Sequence, residues 1–168
     1  PREIIWDLAD VVSKNGRLLL NFGPKPDGTF TRQDHEILSA LGAWMKRNDE
    51  AIHGTGVWRI AQEGPTKIRE GQFSDAQARQ FTAEDFRFTC RGSSVYIMAM
   101  VCPGDGVLRV RSLREADASR LPVFHGIVRD VSVLGYDEKP AWTRGAQALT
   151  VDVGGIRSDL PLVLKVTV

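Results

Sequence analysis

Hydrophobic positions recur with a helical period up to about residue 55 and with a strand period beyond it. Ile4, Ile5, Leu8, Val11 and Val12 fall at i, i+1, i+4, i+7 and i+8, which is one face of a helix. Ser13-Lys14-Asn15-Gly16 stops that helix, and Gly16 suits the left-handed position after its last turn. The run Arg17-Leu18-Leu19-Leu20-Asn21-Phe22 is apolar without alternating, as a strand covered on both faces would be. Gly23-Pro24-Lys25-Pro26-Asp27-Gly28 is a loop by residue type. Thr31, with Asp34 three positions on, opens a second helix in capping-box fashion. Ile37, Leu38, Leu41, Trp44 and Met45 repeat the helical stripe, which fades near Asn48.

Beyond residue 55 the units are short strands between turns. Phe86, Phe88 and Cys90 alternate with Arg87 and Thr89, and 95–101 has one long apolar face and a partly apolar second one. Arg91-Gly92-Ser93-Ser94 and Pro103-Gly104-Asp105-Gly106 are turns by composition. Further strands are expected at 107–113, 123–128, 130–135, 148–153 and 162–168. Such spacing predicts an antiparallel sandwich. The first 54 residues, by contrast, hold a single strand that needs neighbours on both sides. That segment therefore reads as the tail of an α/β barrel, or as an element completed by other subunits.

Charge and composition narrow the partners. The 22 basic and 21 acidic residues leave a net charge of +1, without the basic excess that nucleic acid or an anionic membrane surface demands. No apolar run approaches the roughly 20 residues of a membrane-spanning helix. The chain opens on Pro1 with no secretory leader pattern, which predicts a processed chain or a piece of a longer one and leaves its compartment open. Cys90 and Cys102 fall several residues out of register across the 91–94 turn, so two free thiols are expected. His35, His53 and His125 are too scattered for a metal site, and no cofactor motif occurs. Gly54-Thr55-Gly56 lacks the strand-before, helix-after context of a phosphate loop. His53 is expected at a domain junction, Trp44 in the core, and Trp58 as a seal between domains.

Several of these runs resemble one family. Leu8-Ala9-Asp10-Val11-Val12-Ser13-Lys14-Asn15-Gly16-Arg17-Leu18-Leu19-Leu20-Asn21-Phe22-Gly23-Pro24, then Asp27-Gly28, is similar to the last barrel repeat of the α-L-fucosidases. Ala51-Ile52-His53-Gly54-Thr55-Gly56-Val57-Trp58 resembles the segment that leaves their barrel. Residues 81–89 and 131–135 resemble their C-terminal sandwich. The resemblance implies an α+β chain: a helix-strand-helix remnant of an (α/β) barrel over 1–54, then an antiparallel β-sandwich over 55–168. It also implies a retaining hydrolase of terminal α-L-fucosyl linkages, whose substrates are fucosylated oligosaccharides or glycoconjugates. Family members are often secreted, periplasmic or lysosomal.

Retaining hydrolysis uses two carboxyls about 5–5.5 Å apart. The family carries both on earlier barrel strands, and its Trp-x-Asp nucleophile context has no counterpart here, since Ile5-Trp6-Asp7 is helical by period. The nucleophile and acid/base are thus unassigned, with Asp27 and Asp34 as the candidate carboxylates should the chain act alone. Asn21, Phe22 and Gly23, at the C-terminal mouth of the expected barrel strand, are the candidate substrate-binding residues. Asn21 either meets sugar or hydrogen-bonds the adjoining loop. The competing expectation is a non-catalytic sugar-binding or scaffold sandwich. The orphan apolar strand and the two helix stripes further predict a homo-oligomer.

Overall fold

The computed structural model describes residues 1–67, 80–116 and 124–168. Helix α1 (Arg2–Ser13) and helix α2 (Arg32–Asn48) come first. Eight strands follow among the described residues: β1 (Gly56–Glu63), β2 (Phe86–Arg91), β3 (Ser94–Ala99), β4 (Val107–Val110), β5 (Asp130–Val133), β6 (Trp142–Arg144), β7 (Leu149–Asp152) and β8 (Leu162–Thr167). They form two antiparallel sheets, a five-stranded one in the order β1-β2-β3-β8-β5 and a three-stranded one in the order β4-β7-β6.

The side-chain period of two explains the layers. Phe86, Phe88, Val95, Ile97, Leu164 and Val166 point from the larger sheet towards Leu108, Val110, Leu149 and Val151 of the smaller one, and all are buried. The opposite side of the larger sheet presents Tyr96, Met98 and Val163 to α1 and α2. Trp6 and Trp44 lie in this second core, and each indole N–H donates to a strand-side carbonyl: Met100 at 2.7 Å and Pro161 at 2.8 Å. The doubly apolar β3 is thus a strand covered on both faces, by the second sheet and by the helices. Trp58 packs on Phe88 and Phe124 at the edge of the inter-sheet core.

Local signals in the sequence hold where short-range chemistry decides. Thr31 and Asp34 form a reciprocal capping box at the start of α2. The 91–94 turn sets Cys90 opposite Val95, and both cysteines are free thiols. Gly106 takes a left-handed φ of 74°, and a Cβ there would stand 2.5 Å from Gly154 Cα. The left-handed residue after α1 is Asn15 (φ 64°), not Gly16. Gly16 is needed for a different reason: a Cβ on it would lie 2.8 Å from Val11 Cγ1.

Three expectations are corrected. Residues 17–22 form no strand, because no strand among the described residues pairs with them. Leu19 is 93% exposed. The sheet-facing side of α1 is Ile5, Trp6, Ala9, Asp10 and Ser13; of the expected stripe Ile5 is on that side, while Ile4, Leu8, Val11 and Val12 are only half-buried. The strand expected at 123–128 begins outside the described residues, and 124–128 are irregular. The three-residue β6 is too short to show a period and had no counterpart in the sequence pattern.

Candidate functional site

The candidate residues Asn21, Phe22, Gly23 and Asp27 all lie on the connection from α1 to α2, and Asp34 stands on the first turn of α2. Asn21 and Gly23 are exposed, and Phe22 is half-buried. Nothing lies within 4 Å of where a Gly23 side chain would begin.

Both candidate carboxylates are occupied locally. Asp27 Oδ1 accepts from the Thr29 hydroxyl (2.7 Å) and the Thr29 amide (3.0 Å). Asp34 Oδ2 accepts from the Thr31 hydroxyl (2.6 Å) and the Thr31 amide (3.0 Å). These bonds, the hydroxyl first, hold each carboxyl below its ordinary value. A proton donor for glycoside cleavage needs the opposite shift. Each group's contribution to its turn or cap is therefore present above pH 3.8 and lost as the pH falls through the lowered value. Carbon-detected titration of the Asp34 carboxyl is expected to show a midpoint below 3.8, and Thr31→Ala is expected to move that midpoint up. A midpoint that ignores Thr31→Ala would contradict the cap.

The histidines make no cluster. His35 is exposed and stands edge-on to Phe30, His53 pairs with Asp49 at 3.4 Å, and His125 is exposed. The His53 side chain is 68% exposed rather than packed in a junction; its carbonyl, not its ring, bonds Arg91. No group of three potential metal ligands occurs among the described residues.

Sequence reasoning missed the strongest electrostatic feature. Arg87 on β2 is fully buried under α1, its Nε 2.6 Å from Asp10 Oδ1. Lys14 holds the other Asp10 oxygen at 2.9 Å. Alternation with Phe86 and Phe88 marks Arg87 as a solvent-side residue, which it is not, because helices cover that side. The available signal was Asp10 lying between Ala9 and the apolar pair Val11-Val12. Arg144 was also missed. Its guanidinium donates to the carbonyls of Leu113, Arg114, Phe124 and Gly126 and lies over the Phe124 ring, tying the connection after β4 to β6.

Among the described residues, two clefts of the sandwich are large enough for a small molecule. One, of about 690 Å³, lies among Glu63, Glu84, Asp105, Arg109 and Arg111. Its charged groups already have partners: Glu63 accepts from the Arg111 and Ser112 amides and the Ser112 hydroxyl, Glu84 pairs with Arg111, and Asp105 pairs with Arg109. The other, of about 420 Å³, lies where the ends of β5 and β7 meet the connections that follow them.

Residues 1–50 match the family model described as alpha-L-fucosidase. The tissue alpha-L-fucosidase of Homo sapiens is 34% identical over 129 residues, which is 77% of this chain and 24% of that protein. The chain spans about a quarter of the length of the curated relatives it matches. An alpha-fucosidase of Thermotoga maritima, solved with a mechanism-based inhibitor, superposes with a TM-score of 0.69 at 24% identity, over 99% of this chain and 34% of that one. Isoenzyme 1 from Paenibacillus thiaminolyticus gives a TM-score of 0.70 at 21% identity, over 99% and 34%. These two likenesses are likenesses of fold.

Proposed function

Since the chain belongs to the alpha-L-fucosidase family, we propose that residues 1–168 serve a retaining exo-glycosidase that removes terminal α-L-fucose from fucosylated glycans. In this reading residues 1–54 are the last helix-strand-helix unit of a barrel-type catalytic domain, and 55–168 are its C-terminal sandwich. The chain contributes the frame and one mouth of the barrel, with Asn21, Phe22 and Gly23 at that mouth, while the nucleophile and acid/base come from barrel strands it does not include. The carrying observation is the family match over 1–50, which falls on the segment whose Leu18–Leu20 has no strand partner among the described residues. In the barrel, neighbouring strands would supply the missing hydrogen bonds and bury the leucines. Asp27 and Asp34 act in this reading as turn and cap residues.

The test is a chimera in which this chain replaces the matching segment of the human tissue enzyme. Release of nitrophenol from an aryl α-L-fucoside is expected to stay within about tenfold, a barrier change of about 1.4 kcal/mol. A folded but inactive chimera would overturn the proposal. The chain alone, and its Asp27→Asn and Asp34→Asn variants, are expected to give no turnover.

Alone, the chain should also self-associate, because Leu18, Leu19, Leu20 and Leu38 are all exposed. Light scattering at micromolar concentration is expected to give a mass above 18.6 kDa, and Leu19→Asp is expected to reduce it. A monodisperse monomer before the substitution would count against the orphan-strand account.

The competing reading, a non-catalytic sugar-binding or scaffold module, is favoured by one observation, the 420 Å³ cleft on the sandwich.

A further inference from the structure

The smaller cleft differs from the larger one in what its polar groups are doing. It is walled by the connection after β5 and by the turn after β7, and it is lined among others by Val133, Tyr136, Glu138, Lys139, Asp152 and Ile156. Its volume falls in the roughly 300–1,000 Å³ range of small-molecule sites. Val133 belongs to the inter-sheet core, and Tyr136 and Ile156 pack against it while remaining partly accessible, so the floor is fixed and apolar. Among the described residues, the Tyr136 hydroxyl and the Glu138 carboxylate have no protein partner. Asp152 spends one oxygen on the Gly154 amide, at 2.8 Å. The cation at the rim, Lys139, is already held by Asp130 at 2.9 Å.

The remaining charge is acidic, so phosphate and carboxylate ligands are repelled. No group of three potential metal ligands occurs there among the described residues. What the lining offers is hydrogen-bond acceptors for hydroxyl donors, one phenol that both donates and accepts, and a partly accessible aromatic ring for apolar carbon. A neutral molecule with hydroxyls on one side and C–H groups on the other meets all three. We propose that this cleft is a saccharide-binding subsite of the sandwich, with Tyr136 as the stacking wall and Glu138 and Asp152 as hydroxyl acceptors. The subsite gives the sugar-binding reading above a location. It requires no hydrolysis, so it stands or falls separately from the family activity.

Saturation-transfer and chemical-shift NMR on the full 168-residue chain tests this, with L-fucose, D-galactose and D-glucose as probes. At least one is expected to bind saturably with Kd on the order of 1 mM, shifting the Tyr136 ring and the Ile156 methyl signals. Glu138→Gln, on an exposed side chain, is expected to weaken binding about tenfold by removing a charged acceptor. Tyr136→Phe keeps the ring in place and is expected to weaken it less. Absence of saturable shifts at these residues up to ~50 mM of every probe would overturn the proposal. So would undiminished affinity in a Glu138→Gln chain whose spectrum is otherwise native. Because these readouts are binding alone, an inactive chimera leaves them unaffected.

Discussion

Asp10→Leu is expected to destabilise the chain by about 3–5 kcal/mol, because it strands a buried cation. Arg87 is fully buried, its Nε rests 2.6 Å from Asp10, and its Nη2 finds no hydrogen-bond acceptor among the described residues. The other groups at the guanidinium are the Phe86 carbonyl at 3.0 Å and the Phe81 ring at 5.0 Å, neither of which carries a charge to replace the carboxylate. In a chain of this length such a loss lowers the melting temperature by roughly 10 °C. Arg87→Met alone should cost less, since Lys14 continues to neutralise Asp10 from a half-open position. The double substitution Asp10→Leu with Arg87→Met should recover most of the stability of wild type, as replacement of buried pairs by apolar residues commonly does. Thermal and denaturant unfolding of the four proteins measures the coupling. Strict additivity of the two single losses would show that the pair does not act as a pair.

Trp44→Ala carries the second large expectation, also about 3–5 kcal/mol, from loss of a large aromatic side chain in the core. Trp44 is 1% exposed, packs in the core between α2 and the larger sheet, and donates from its indole to the Pro161 carbonyl at 2.8 Å. Truncation leaves a cavity and an unsatisfied carbonyl together. Trp44→Phe separates the two: it keeps most of the apolar area and loses the hydrogen bond, so about 1–3 kcal/mol is expected. If Trp44→Ala were as mild as Trp44→Phe, α2 would not be held by this contact.

The parts of the fold that were legible in the sequence are those settled within a few residues. The Thr31–Asp34 box, the 91–94 and 103–106 turns and the β2–β3 register depend on chemistry that neighbours in the chain supply. Leu18–Leu20 shows the opposite case. Its apolar run reads as an interior strand, yet a strand exists only with partners, and no described strand provides them. The face of α1 was misjudged for a related reason. Ile4, Ile5, Leu8, Val11 and Val12 form the more apolar stripe, but docking on this sheet also places Asp10 over Arg87, which keeps Ile5 inward and leaves the other four half-buried. Of the candidate site, Asp34 was legible as the capping partner of Thr31, and Asp27 as part of a turn, two residues before Thr29. Their engagement by Thr29 and Thr31 is what that pattern dictates. The 420 Å³ cleft could not be read from the sequence, since it arises where two connections separated by a strand pair come to lie side by side.

The double cover of the larger sheet bears on how this polypeptide can be dissected. A boundary drawn at residue 54 is clean in the pattern of residue types, but Tyr96, Met98, Met100 and Val163 are shielded by what precedes it. Anyone who expressed 55–168 by itself would expose a greasy sulfur-and-phenol surface, together with an arginine stripped of its counter-ion. Such a product should go into inclusion bodies, so a soluble version would need those four side chains and Arg87 redesigned in a single step.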